Sequence, residues 1–314
     1  MALGTVADMV PLVAENRVLT HAGLHILGQA KRPGLAALFT LAGITEPGPE
    51  SQDIAFRIAP RLNAAGRIGH AKEALALLTT SDKQTAQRLA EKIERYNQAR
   101  QQIEQQTVEQ IQRMIDATPA LLDALTLVLW HPDWHEGVLG IAAARMVRAY
   151  KRPVVLIAVK SGKAKGSGRS IEGFDLYDAL AHCADTLCGF GGHAMAAGLQ
   201  LETDRLNTFR RHFEAAAQHQ TGGTIATSPL KLDAELDLTQ VTAPFLDELD
   251  RLQPFGSGNP QPIFLGHDIA VADARTIGDG HLKLRLRQRE TAHQPPLSAV
   301  WFHPKLKQLP AVLE

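Results

Sequence analysis

A chain of 314 residues is long enough for two or three domains. With 45% hydrophobic and 21% charged residues it has the balance of a globular protein and not of a disordered one. Its 33 cationic and 33 anionic side chains cancel, so net charge favours no class of partner and only the local distribution of charge is informative.

No apolar run approaches the roughly 20 residues of a membrane span, and the first residues lack the basic stretch and apolar core of a signal peptide. Cys183 and Cys188 form neither a zinc pattern nor a disulfide framework. A reducing, cytoplasmic setting without a membrane partner is expected.

The chain opens with Leu3-Gly4-Thr5-Val6-Ala7-Asp8, which reads as the end of a buried strand and its loop. Residues 19–27 and 34–41 are apolar at helical spacing, with Pro33 breaking them. Pro60, Asn63 and Gly66 among three arginines predict a helix end and loop over 56–68, and residues 71–78 are helical. From 82 to 117 a single amphipathic helix is predicted, with Ser81 and Gln84 as a capping box and Pro119 as its stop. Its apolar stripe is too narrow for a core helix and keeps no strict heptad, so it reads as a connector between domains.

The next hundred residues alternate as α/β units: strands over 125–130 and 154–159, helices over 138–150 and 174–184, and a short strand over 194–201. Thr221 to Thr227 is a linker. Beyond it, alternation over 230–238 and 281–288 with turns at 254–260 and 278–280 predicts a small β-barrel. The abrupt start, and an end soon after the strand predicted over 297–302, suggest a fragment.

Between Arg145 and Arg169 lie eight cations and no acid, a crowding that a polyanion would relieve. Inside it, Gly166-Ser167-Gly168-Arg169 places glycines beside two phosphate-donating side chains. Gly189-Phe190-Gly191-Gly192-His193 supplies a second flexible loop ending in a donor. Both also suit solvated loops. Leu282-Lys283-Leu284-Arg285-Leu286-Arg287 sets leucines inward and cations outward, suited to tracking a single strand or to guarding a sheet edge. Asp8, at a strand end, suits a metal ligand, a base or a simple turn. His131, Asp133, His135 and Glu136 follow a strand without a clear ligand spacing, and His135 is expected to shape the start of the next helix and face substrate.

In order, Leu3 to Leu12, Asn63-Ala64-Ala65-Gly66-Arg67-Ile68, His135-Glu136-Gly137-Val138-Leu139-Gly140-Ile141, Gly166 to Ser170, Gly173-Phe174-Asp175-Leu176, Phe190 to His193 and Leu252-Gln253-Pro254-Phe255-Gly256-Ser257-Gly258-Asn259-Pro260 resemble the RecJ single-stranded-DNA exonucleases of the DHH phosphoesterase superfamily. The resemblance implies an α/β architecture of four parts. These are the C-terminal part of a DHH domain over 1–81, a connector helix over 82–118, an α/β DHHA1 domain over 119–222 and an incomplete OB-fold over 223–314. It implies 5′→3′ hydrolysis of single-stranded DNA with two Mn²⁺ or Mg²⁺ ions, in repair and recombination. Asp8 would be the catalytic metal-binding Asp. Arg67, His135, Ser167, Arg169, Gly191, Gly192 and His193 would hold a terminal 5′ phosphate, and Lys283, Arg285 and Arg287 would bind the strand. The implied partners are single-stranded DNA and a repair helicase or single-strand-binding protein, with the enzyme a monomer. No Asp-His-His and no upstream Asp-x-Asp occurs, so the chain alone is expected to be inactive. Two alternatives stay open: a non-catalytic single-strand-binding fragment, and a DHH phosphoesterase acting on short oligonucleotides.

Overall fold

The computed structural model describes residues 1–29, 31–45, 48–225, 229–278, 280–288 and 295–302. The chain folds as two compact units, one made of Met1–Ala22 with Leu230–Glu314 and the other of Gly23–Pro229. The last residues of the chain, 309–314, lie outside the described residues.

In the first unit, α1 (Ala2–Ala7) replaces the expected strand. Ala2, Thr5 and Val6 are its buried residues, and the intervals of three and four are helical. The start of α2 (Ala14–Gly28) follows. Leu12 is buried and its N–H donates to the Ser257 carbonyl at 2.6 Å. Arg17 Nη2 donates to the carbonyls of Arg251 and Gln253, each at 3.0 Å. The two apparent motifs 8–12 and 254–260 therefore hold each other. A Cβ on Gly256 would lie 2.8 Å from Leu12 Cδ1, so this glycine is there for close approach.

The second unit begins as helices: α3 (Pro33–Ala42), α4 (Ser51–Asp53), α5 (Ala59–Ile68) and α6 (Ala71–Thr79). The loop expected over 56–68 is helical. Pro60 lacks an N–H donor, and the turn before it, Ile54–Ile58, widens to π geometry that carries the helix into α5. Helix α7 (Lys83–Ala117) has 35 residues and spans about 50 Å. Asp82, not Ser81, is its cap, accepting the Thr85 N–H at 2.7 Å. Ala86, Ala90 and Ile93 bury toward α3, α5 and α6, while Ile111 and Ile115 join the core under the sheet that follows. Between them the buried face is polar: Asn97, Arg100, Glu104 and Thr107. The connector is thus packed along its length, with small side chains and paired charges replacing large apolar ones.

The sheet holds β1 (Leu127–His131), β2 (Val154–Lys160), β3 (Lys163–Arg169), β4 (Gly189–His193) and β5 (Ala196–Glu202) in the order β1-β2-β3-β5-β4. Helix α8 (Glu136–Tyr150) makes the crossover between parallel β1 and β2, and the other pairs are antiparallel. Helices α9 (Leu176–Ala181) and α10 (Leu206–Thr221) close one face around Phe174, Phe209 and Phe213. The opposite face packs Leu127, Leu129, Val154 and Leu156 against Leu139, Ala142 and Met146 of α8.

The first unit resumes with β6 (Ala234–Glu235), α11 (Ala243–Asp250), β7 (Phe264–Leu265), β8 (Ile269–Ile277), β9 (His281–Gln288) and β10 (Leu297–Trp301). Alternation over 230–238 yields only the two residues of β6, paired in parallel with β7. The main sheet runs β10-β9-β8.

Candidate nucleic-acid interface

His135 caps α8, its Nδ1 accepting the Gly137 N–H at 3.0 Å. This leaves Nε2 to carry the ring proton as a donor. Arg67, in the last turn of α5, donates from Nη1 to the Gly137 carbonyl at 3.1 Å. A Cβ on Gly137 would lie 2.4 Å from the Arg67 carbonyl oxygen, so only glycine lets the end of α5 close on α8. One turn along, a Cβ on Gly140 would meet Arg169 Nη2 at 2.6 Å and Ser167 Oγ at 3.0 Å. Two glycines of α8 thus admit the cations beside its N-terminus.

Ser167, Arg169 and His193 lie on strands, and the loops expected for 163–170 and 189–193 are β3 and β4. Register explains what this does. Arg169 and His193 both pair with Ala196, so they share one face of the sheet, two strand spacings or roughly 10 Å apart. In the next row Ser167 and Gly191 both pair with Gly198, and in the row after that Lys165 and Gly189 pair with Gln200. This face is floored by glycine. A Cβ on Gly189 or Gly191 would meet nothing within 4 Å, and one on Gly198 would meet only the Gly166 carbonyl oxygen at 3.9 Å. An open cleft of about 500 Å³ lies over it, bounded by Glu136, Lys165, Ser167 and Gln200 among others.

Gly166 and Gly168 serve a different purpose from the one their motif suggested. Their Cβ positions point into the core, 3.0 Å from Ile157 and Leu199 and 2.9 Å from Leu176 respectively, so packing requires them. Gly192 has φ +147° and a Cβ position 2.4 Å from the Ala196 carbonyl oxygen, so the backbone of the β4–β5 hairpin requires it. Gly198, absent from the sequence expectations, carried one signal: a glycine inside an apolar strand pattern.

Burial lowers the pKa of Arg169, and the neighbouring Arg67 lowers it further. Arg67 is lowered by burial and by Arg100, with Glu104 acting the other way. Guanidinium begins so high that both stay charged. Arg169 Nη1 donates to Ser167 Oγ at 3.2 Å and to the Gly168 carbonyl at 2.7 Å. Among the described residues neither Arg67 nor Arg169 is ion-paired. Two half-desolvated cations that repel each other beside a helix N-terminus make a site that favours an oxyanion. Glu136 in the first turn is itself paired with Lys165, at 3.1 Å.

The DHHA1 domain model matches residues 122–219 and the RecJ OB domain model residues 232–310. The single-stranded-DNA-specific exonuclease RecJ of Escherichia coli is 37% identical over 298 residues, covering 90% of this chain and 50% of that protein. That of Bacillus subtilis is 34% identical, covering 92% and 37%. The crystal structure of RecJ in complex with Mn²⁺ from Thermus thermophilus matches with a TM-score of 0.76 at 35% identity, covering 95% of this chain and 45% of that one. The chain belongs to the RecJ family. It spans about half the length of the curated RecJ proteins it matches.

A second RecJ structure from T. thermophilus, in complex with Mg²⁺, has a TM-score of 0.74 at 34% identity and covers 96% of this chain and 49% of that one. The residues present here do not fit a two-ion centre. Asp8 is an exposed carboxylate at the C-terminal end of α1. Among the described residues no group of three or more His, Cys, Asp or Glu could hold a metal ion. His131 and Asp133 lie 3.7 Å apart, and His131 stacks on Trp134. In the OB region Leu282 and Leu284 are buried while Arg285 is exposed and Lys283 and Arg287 are half-buried. Lys283 pairs with Arg275, Arg285 with Asp273 and Arg287 with Ala270 on β8, so one sheet face gathers four cations and one acid. Among the described residues no helix is long and apolar enough to cross a membrane.

Proposed function

We propose that this chain grips the 5′-phosphorylated end of single-stranded DNA, in the manner of the DNA-holding half of a 5′→3′ exonuclease. The observation that carries the reading is the meeting of two half-buried guanidiniums, neither ion-paired among the described residues, with a floor of glycines that protein packing does not require. Arg67, Ser167, Arg169 and the Nε2–H of His135 donate to the terminal phosphate, and His193 closes the far side of the row. Gly189, Gly191 and Gly198 let the sugar–phosphate backbone lie against the sheet, where any side chain would hold it off. The cationic face of β9 offers a second contact for the strand, through Lys283 and Arg285. A groove floored by backbone suits an unpaired strand, and duplex ends are expected to bind poorly.

Hydrolysis needs metal ligands beyond Asp8, so this polypeptide is proposed to bind without cleaving. Action in the cytoplasm, as a monomer, beside a repair helicase or single-strand-binding protein belongs to the same proposal.

The test is fluorescence anisotropy with a short oligothymidylate bearing a 5′ phosphate or a 5′ hydroxyl, and with a blunt duplex, across a salt series. The phosphorylated strand should bind tightest, and its advantage should persist as salt rises while non-specific binding falls. Arg169→Ala should remove that advantage, on the order of a tenfold or greater loss for one charge-assisted contact. Equal affinity for the two single strands, in the wild-type chain, would refute the reading.

A further inference from the structure

Behind the cations of the phosphate site lies a buried carboxylate, and it belongs to the long helix. Glu104 sits in the middle of α7, 8% exposed. Its two oxygens each take one guanidinium: Arg100 Nη1 of the same helix at 2.8 Å and Arg145 Nη1 of α8 at 3.3 Å. Arg100, also 8% exposed, donates from Nη2 to Asn97 Oδ1 at 3.0 Å, while its Nε is buried without a hydrogen-bond partner. Arg100 and Glu104 both act electrostatically on Arg67, and Arg67 acts on Arg169. Two guanidiniums therefore clasp the carboxylate, Arg100 from α7 and Arg145 from α8; a third, Arg67, is within reach of its charge and in turn neighbours Arg169.

Stability alone does not account for this arrangement. Burying charges costs more than burying apolar groups of the same size, and an apolar seam often holds two helices at least as well. The same helix does so further on, where Ile111 and Ile115 pack into the core with Leu139 and Met146 of α8. What the polar stretch adds is position. Through Arg145 it fixes α8, whose Gly137 carbonyl receives Arg67 and whose Gly140 admits Arg169. By offsetting Arg100 it lets Arg67 stay near that charge and turned toward α8.

We infer that Glu104 is a positioning residue for the 5′-phosphate site, touching no nucleic acid and acting through Arg100, Arg145 and Arg67. This rests on the phosphate reading above. Without the carboxylate, Arg100 would be left uncompensated beside Arg67 and would drive it off the first turn of α8.

A positioning role and a purely electrostatic one predict opposite signs. Removing an acid makes the surface more cationic and, by charge alone, strengthens binding to any polyanion. Anisotropy on the full chain, with oligothymidylate carrying a 5′ phosphate or 5′ hydroxyl, is measured for wild type, Glu104→Gln and the double variant Arg100→Gln/Glu104→Gln, with thermal melts of each. Glu104→Gln is expected to reduce the phosphate-over-hydroxyl preference by roughly three- to thirtyfold, with affinity for the hydroxyl strand unchanged or raised. The double variant removes the stranded cation and should recover a large part of the preference; should the single variant fail to melt cooperatively, the double variant decides. Preference retained in Glu104→Gln, or none recovered in a folded double variant, overturns the inference while leaving the phosphate site intact. No preference in the wild type overturns both.

Discussion

Gly198 and Cys183 show two opposite reasons for a small residue on or under the same sheet. Gly198 faces open space, so protein packing would admit a larger side chain there. Gly198→Val should leave thermal stability unchanged or raise it by up to about 1 kcal/mol, yet lower affinity for single-stranded DNA by roughly tenfold or more through lost backbone approach. Anisotropy and a melt on the same sample check this, and undiminished binding would remove the glycine floor from the proposal. Cys183 is buried in the core between the sheet and α9–α10, and burial, helped by Asp185, pushes its thiol from 9.0 up to about 12. The folded state thus keeps the proton that the unfolded chain gives up. This contribution is whole below pH 9 and is lost progressively as pH climbs from 9 toward 12. Exposed Cys188 should therefore be alkylated promptly at about pH 8 and Cys183 only as fast as the fold opens, as intact-mass spectrometry over time would report. Equal rates would contradict the burial.

At the scale of elements, the sheet and its two coverings are what bring the donors together. Phe213 of α10 is fully buried, edge-on to Phe174 at 5.9 Å and stacked with Phe209 at 5.6 Å. Phe213→Ala should cost about 3–5 kcal/mol through lost burial and the cavity left behind, read as a fall in Tm. The site lies on the opposite face of β3 and β5, so a variant that still folds should keep its preference for a 5′ phosphate; loss of the preference without loss of stability would mean that the two faces are coupled. Helix α7 was legible as a helix because its apolar positions recur at three and four. Its packing was not, because Ala86, Ala90, Asn97, Arg100 and Glu104 do not look like core in a sequence. Gly166 and Gly168 are turn residues by composition, so the sequence of β3 predicts a loop. Their use as space for Ile157, Leu199 and Leu176 is visible only once those side chains are in place.

For the whole chain, RecJ relatives about twice as long and an Asp8 that joins no metal-binding group among the described residues point the same way. The 314-residue polypeptide with Mn²⁺ or Mg²⁺ should release no nucleotides from 5′-phosphorylated single strands over hours, as assayed by denaturing gel, while still binding them. Metal-dependent cleavage that follows the purified chain through every column would show that a hydrolytic centre exists among residues now assigned only to binding.

The sequence by itself determined the family, through ordered local motifs, along with the helices of regular period and the identity of the cationic donors. Those are properties of neighbours along the chain, and short-range patterns record them. Tertiary structure alone decided that Arg67, His135, Ser167 and Arg169 meet at one helix end and that Arg169 and His193 share a row of the sheet. It also decided which glycines make room for the core and which lie bare, and it placed a buried carboxylate between Arg100 and Arg145. Each of these depends on register and on packing between residues tens of positions apart, where the sign of a burial or a charge is set by what arrives from elsewhere in the fold.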